Sequence, residues 1–282
     1  METQQVTTTD NHRFVLRWSL AVPPTDPRVF LLCPALGVRA SYYDRVALTL
    51  SRAGATAVTM ELRGQGTSSL RAGKGVDWGY EDHVRHDWPT AVAAIRERFP
   101  TAPLYLLGHS LGGQLSTLYL AKNPSAASGI ILVASGTNDF RAWPFPGRYK
   151  TLVQMQLVAG LTRVLGYYPG AKVGFGDRQA RQEMLDWASN GLYGRFRPAG
   201  AEIDYEAALA ALKTSVWGFS LEGDALAPKN CTARLVAKLR SASVVHRHLT
   251  EKELPRECLH HFSWARNSAP LVACILQETA AA

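Results

Sequence analysis

The chain has 282 residues, 46% of them hydrophobic, with 31 Lys and Arg against 23 Asp and Glu for a formal charge of +8. That length and apolar content suffice for one large core, while the absence of any 18-residue apolar run argues against a membrane span. The basic residues are scattered with no five-residue block, which points to a mildly basic solvated surface and no nucleic-acid partner.

Met1–Asn11 is polar and lacks the basic-then-apolar order of a secretory leader, so a cytoplasmic setting is expected. Phe14–Leu20 looks like an early strand that pairs near the N-terminus, and Val29–Cys33 is a continuous apolar run suited to a strand buried on both faces. Tyr42–Arg52 has helical spacing and is closed by Gly54, and Ala55–Leu62 reads as the next strand. A helix is expected over His86–Phe99, with Asp87 near its start and Pro100 beyond its end. Leu104–Leu107, Gly129–Ala134, Ser215–Ser220 and Val244–Leu249 are further strands, and a last helix runs from Pro270. Strands alternating with helix-length segments imply a mostly parallel sheet with helices on both faces. There is no internal repeat.

About eighty residues between Ala134 and Thr214 exceed what a sheet crossover needs. Within them, Leu152–Leu165 and Arg178–Ser189 have helical character, and ten aromatic residues lie between Phe140 and Phe196. Taken singly, each aromatic reads as ordinary core. As a unit the segment reads as a cap, because clefts in open α/β sheets lie beyond the carboxyl ends of the strands. The expected division is therefore a core of residues 1–136 and 214–282 with a cap over 137–213.

The chemistry is expected at Gly108-His109-Ser110-Leu111-Gly112. An apolar strand runs into this segment, and Gln114–Ala121 follows it with helical character. Strand, G-x-S-x-G and helix in that order form a nucleophile elbow. A serine hydroxyl needs a base within reach before it can attack a carbonyl, and a sharp turn presents it to one. Gly108 and Gly112 suit a turn that leaves no room for side chains near the serine.

With these residues in view, the chain resembles the α/β-hydrolase superfamily over nearly its whole length, and within it the capped bacterial lipase and serine-peptidase-like branch. Pro34–Tyr43 is similar to a bacterial group of that branch. Glu61-Leu62-Arg63-Gly64-Gln65-Gly66-Thr67-Ser68 looks like the family's acidic-x-Arg-Gly-x-Gly-x-Ser turn, with Glu for the usual Asp and Arg63 tying down neighbouring loops. The resemblance implies the α/β-hydrolase fold, with its cap inserted after the sixth strand. It also implies a nucleophile, acid and histidine in that chain order. Ser110 is the nucleophile and Asp224, in the loop after the Ser215–Ser220 strand, the acid, with Glu222 and Asp139 as rivals.

Chain order sets aside His12, His83 and His86, which read as surface or capping residues. His109 is turned inward by the elbow, and His246 and His248 lie on a strand. The doublet His260-His261 remains, and the family's His-Phe pair matches His261-Phe262. The oxyanion donors implied are the backbone N–H groups of Leu111 and Leu36, the latter in Pro34-Ala35-Leu36 where many relatives carry His-Gly.

The expected activity is hydrolysis of a carboxylic ester or thioester through an acyl-enzyme. Rival readings are an acyltransferase with the same triad, a peptidase of the same branch, and a non-catalytic binding protein on this scaffold. Asp139 to Arg197 holds nine Lys and Arg against four Asp and Glu, so an acidic acyl-carrier protein is a candidate partner beside a small acyl substrate. No metal-binding motif, dinucleotide fingerprint or P-loop is present, and no cofactor is expected. Cys33, Cys231, Cys258 and Cys274 are widely spaced with no C-x-x-C pair, as for reduced thiols.

Overall fold

A computed structural model describes residues 1–280. Eight strands form one sheet: β1 (Glu2–Thr7), β2 (Arg13–Ser19), β3 (Val29–Cys33), β4 (Thr56–Thr59), β5 (Leu104–His109), β6 (Gly129–Val133), and, further along the chain, β9 (Ser215–Leu221) and β10 (Ser243–Leu249). Their order across the sheet is β1-β2-β4-β3-β5-β6-β9-β10. β2 is antiparallel to both β1 and β4, and every pairing from β4 to β10 is parallel. This is the α/β-hydrolase fold.

The apolar runs split their side chains between two cores with the period of two that a strand imposes. Val29, Leu31 and Cys33 of β3, with Leu104 and Leu106 of β5, face a core that also holds Trp88 and Ile95 of α2 (Trp88–Arg98) and Leu115 and Leu118 of α3 (Leu111–Lys122). Phe30, Leu32, Tyr105 and Leu107 face the opposite core, built from Val46 and Leu50 of α1 (Asp44–Arg52) and Leu271 and Ile275 of the C-terminal helix (Ala269–Ala280). A strand buried on both sides must be apolar at every position, which explains the unbroken runs in β3, β5 and β6.

The N-terminal half adds one strand that the pattern did not show and corrects one expectation. β1 pairs with β2 from Glu2↔Trp18 to Thr7↔Arg13. As an edge strand it buries only Val6, so hydrophobic alternation could not reveal it. His12 and His83, read as surface or capping residues, are both buried. They surround Asp87, whose carboxylate meets His83 Nδ1 at 2.8 Å, His12 Nδ1 at 3.2 Å and Arg63 Nε at 2.9 Å. Arg63 reaches on to Asp10, and His83 Nε2 lies 3.2 Å from Glu183. A buried histidine is stable here because each ring nitrogen has a partner, and apart from Asp87, four residues after His83, those partners lie 56 to 100 positions away. His86 is half-buried, its Nδ1 2.6 Å from the Thr9 hydroxyl.

Between β6 and β9 the chain forms α4 (Gly147–Leu165), a small antiparallel hairpin of β7 (Tyr167–Pro169) and β8 (Arg178–Ala180), then α5 (Arg181–Tyr193) and α6 (Tyr205–Ala211). Helical spacing alone had carried the second helix back to Arg178, but β8 occupies its first three residues. α4 packs on α5 and on the hairpin. On α4 only Met155, Ala159 and Thr162 are buried, while Val153, Leu157 and Val164 are exposed. α5 is tied to the rest of the molecule by Glu183, which accepts from Trp78 Nε1 at 3.2 Å, and by Asp186, which accepts from the Tyr80 amide at 3.0 Å.

No helix among the described residues is long and apolar enough to cross a membrane. All four cysteines are free, three of them buried.

Candidate active site

Ser110 stands between β5 and α3 with φ +52° and ψ −117°, a left-handed conformation that a non-glycine residue adopts only under constraint. The constraint is visible at the glycines. A Cβ on Gly108 would fall 2.3 Å from Gly113 Cα, and one on Gly112 would fall 2.1 Å from the Cys33 carbonyl oxygen. Strand, turn and helix therefore touch backbone to backbone, as the G-x-S-x-G spacing requires. The Ser110 amide donates to Val133 at 3.2 Å, and the Ser110 carbonyl accepts from the Ser135 hydroxyl at 2.6 Å. These bonds fix the turn between β5 and β6.

Asp224 is buried in the loop after β9. Its Oδ1 accepts from the amides of Leu226 at 2.9 Å and Ala227 at 2.8 Å, and its Oδ2 lies 2.8 Å from His261 Nδ1. The carboxylate is thus held by its own loop and directed at the imidazole. His261 is buried, whereas its neighbour His260 is exposed with Nδ1 3.0 Å from the Gly223 carbonyl. The rival acids lie elsewhere: Asp139 is paired with Arg141 and Arg234, and Glu222 accepts from the Glu251 amide. His246 Nε2 and His248 Nδ1 both lie 3.0 Å from the Ser220 hydroxyl on β9, away from Ser110.

Ser110, His261, Leu36 and Leu111 line one cavity of about 550 Å³. Among the described residues Ser110 and His261 make no direct hydrogen bond, and neither the Leu36 nor the Leu111 amide donates to a protein acceptor. Leu111 is the first residue of α3, where amides point outward unsatisfied. Most of the remaining wall is apolar and comes from α4, the hairpin and α5, including Met155, Leu161, Tyr168, Phe175 and Trp187. Of the aromatic residues in this stretch, Phe196 instead joins the main core, and Phe145, Tyr149 and Tyr193 are exposed.

His109 is a neighbour that sequence reasoning located but did not use. It is buried, and its Nδ1 lies 2.6 Å from the Tyr43 hydroxyl. That hydroxyl also accepts the Ala35 amide at 2.9 Å, while His109 Nε2 is shielded from solvent with no protein partner among the described residues. Burial, reinforced by the adjacent His261, holds the His109 pKa well below the ordinary 6.5. The two imidazole rings are 4.9 Å apart.

A second Ser-His-Asp arrangement shows that contact geometry alone does not make a site. Ser68 Oγ lies 2.9 Å from His12 Nε2, which is linked in turn to Asp87. All three are buried, and the Ser68 hydroxyl is committed to the Gly64 amide and the Leu70 carbonyl. No group of three or more His, Cys, Asp and Glu among the described residues could hold a metal ion.

Residues 26–166, half of the chain, match the family model described as serine aminopeptidase, S33. The chain belongs to the serine aminopeptidase S33 family. Over 117 residues it is 32% identical to the monoacylglycerol lipase of Mycolicibacterium smegmatis, a stretch covering 41% of each chain. It is 29% identical over 119 residues to the monoglyceride lipase homolog of Monkeypox virus, again 41% of each. The matched stretch thus spans about two fifths of the length of these relatives. Est1E from Butyrivibrio proteoclasticus, solved with ferulic acid, superimposes with a TM-score of 0.64 over 99% of this chain and 100% of its own. At 10% identity, that likeness shows the fold alone.

Proposed function

We propose that the protein hydrolyses esters or thioesters of apolar acyl groups through a Ser110 acyl-enzyme. The observation that carries this reading is the 2.8 Å contact of His261 Nδ1 with Asp224, beside a strained serine in an apolar cavity. Asp224 keeps the Nδ1 proton in place, which leaves Nε2 free to take the Ser110 proton as Oγ attacks the carbonyl carbon. The oxyanion is met by the amides of Leu36 and Leu111. As the tetrahedral intermediate collapses, the bond to the leaving oxygen or sulfur breaks and His261 returns the proton to it. Water then attacks the acyl-enzyme by the same route and releases the acid. The similarity to a monoacylglycerol lipase supports an acylglycerol as one such ester.

Residues 137–213 act in this reading as a cap whose apolar inner side selects the acyl chain. On p-nitrophenyl esters and acyl thioesters of graded length, kcat/KM is expected to rise roughly fourfold per added methylene until the cavity is filled. A flat series would remove the cap's role in chain selection. An acidic acyl-carrier protein as the donor rests on the basic excess of the same segment, where Lys150, Arg163, Lys172, Arg195 and Arg197 are exposed. Steering by those charges predicts that kcat/KM for a carrier-bound thioester falls steeply from low to high salt while that for a neutral ester stays flat. Equal responses would exclude the carrier and leave the small ester.

A further inference from the structure

The cavity holds one polar feature that the acyl-enzyme reading does not use. Gln114 lies in the first turn of α3, four residues after Ser110, and both residues line the cavity. Gln114 is buried and lines the cavity, as does Asn138. The orientation of both amides follows from acceptors that cannot be exchanged for donors. The Gly136 carbonyl, 2.8 Å away, can only accept, so it faces Gln114 Nε2. Gln114 Oε1 consequently accepts the Tyr80 hydroxyl at 3.0 Å. The other Nε2 proton goes to Asn138 at 3.1 Å, which must present Oδ1. Asn138 Nδ2 is left as a donor, shielded from solvent and without a partner. Nδ2 carries two protons, and the neighbouring Tyr80 hydroxyl can take at most one of them.

A buried donor left unpaired is costly, and in a ligand cavity that cost is recovered when a ligand oxygen arrives. The Asn138 backbone is held by its own amide, which donates to Asn190 Oδ1 at 2.7 Å, so the side chain is presented from a fixed point. The terminal amide turns about a broad, soft torsion and can follow a ligand.

From the unpaired Asn138 amide in the cavity wall beside Ser110, we infer a polar subsite selecting substrates with an oxygen acceptor close to the reacting carbonyl. The acceptor is a hydroxyl, ether or keto oxygen within a few bonds of the ester, on an otherwise apolar molecule. This rests on the ester-hydrolase reading and narrows it: the preferred substrate is an oxygenated ester, not a plain alkanoate. Gln114 sets the direction of the Asn138 amide and is a positioning residue.

The test compares matched esters that differ by one oxygen. On the acyl side these are p-nitrophenyl hexanoate and p-nitrophenyl propoxyacetate, in which an ether oxygen replaces the methylene at C3. On the alcohol side they are the propyl and glyceryl esters of one fatty acid. The ratio of kcat/KM, corrected for the alkaline hydrolysis rates of the same esters, is expected to favour the oxygenated member of one pair by about tenfold to a hundredfold. The pair that responds assigns the subsite to the acyl or the alcohol side.

Asn138→Leu should bring the ratio to about one. Asn138→Asp keeps the bond from Gln114 but turns an acceptor toward the substrate oxygen, and should push the ratio below one for the ether pair, whereas a glyceryl hydroxyl can donate to the carboxylate and keep its preference, so the alcohol-side pair is read with Asn138→Leu. Circular dichroism and thermal melts check that both variants are folded. Corrected ratios near one for both pairs in the wild-type protein overturn the subsite alone. A wild-type preference that survives in both variants also overturns it. If no ester is hydrolysed and Ser110 resists a fluorophosphonate, the hydrolase reading fails and the subsite fails with it.

Discussion

Ser110→Ala is expected to lose about 10⁴- to 10⁶-fold in kcat on a p-nitrophenyl ester and to lose all labelling by a fluorophosphonate probe. The variant removes only an Oγ, and the turn that holds it is fixed by backbone contacts at Gly108 and Gly112, so the fold and the thermal midpoint should be retained. His261→Ala should fall by a comparable factor, since residues that act as a unit are not additive. His260→Ala should keep most of the activity, because that ring is exposed and meets only the Gly223 carbonyl. Asp224→Asn should lower kcat with little effect on KM, as the amide no longer stabilises the imidazolium. Full labelling of Ser110→Ala, or an inactive His260→Ala beside an active His261→Ala, would falsify this assignment.

Removing the Asp87 carboxylate is expected to destabilise the protein by about 3–5 kcal/mol, the usual result of stripping one partner from a buried charge network. Asp87 is wholly buried, and its neighbours Arg63, His12 and His83 are buried with it. Although burial opposes ionisation, the bonds to His12 and His83 and the charge of Arg63 hold its carboxyl far below the ordinary 3.8. Asp87→Ala would leave the Arg63 guanidinium with only the half-exposed Asp10, and His83 with only Glu183. Urea denaturation would measure the loss as a lowered midpoint at unchanged slope, and a shift below 1 kcal/mol would show that the network contributes little.

The same network predicts the direction of the pH dependence. Burial pulls the His83 pKa down, but its bonds to Asp87 and Glu183 outweigh that and raise it to about 9. A raised pKa means that the folded state holds a proton the unfolded chain gives up. Its stabilisation is complete below pH 6.5 and is lost as pH climbs through 9. Asp186 acts in the same sense at lower pH. Burial raises it to about 6 despite the amides of Tyr80 and Ala199, so its contribution fades as pH rises from 3.8 through 6. Denaturation midpoints should therefore decline from pH 6.5 to 9.5, and His83→Gln should flatten the upper part of that decline. Both Glu183 and Asp186 lie on α5, which also carries Trp187 into the cavity wall, so alkaline loosening should raise KM before it unfolds the core.

Local pattern by itself determined the parts of this protein whose physics is local. The apolar runs of β3, β5 and β6 had to be central strands, because only a strand covered on both faces is apolar at every position. The elbow was legible for a similar reason: glycines two residues either side of a serine matter only where backbones meet, and here they do. Other features depended on segments distant in sequence, and only the tertiary structure decided them. Which of His260 and His261 meets Asp224 is set by how the loop after β10 lies against the loop after β9, a choice that two adjacent identical residues cannot encode. His12 and His83 read as surface residues because a histidine carries no mark of burial. Their partners, Ser68, Asp87 and Glu183, lie between 4 and 100 positions away. β1 was hidden because an edge strand can be polar on both faces, its pairing with β2 resting on backbone hydrogen bonds that no side-chain pattern reports.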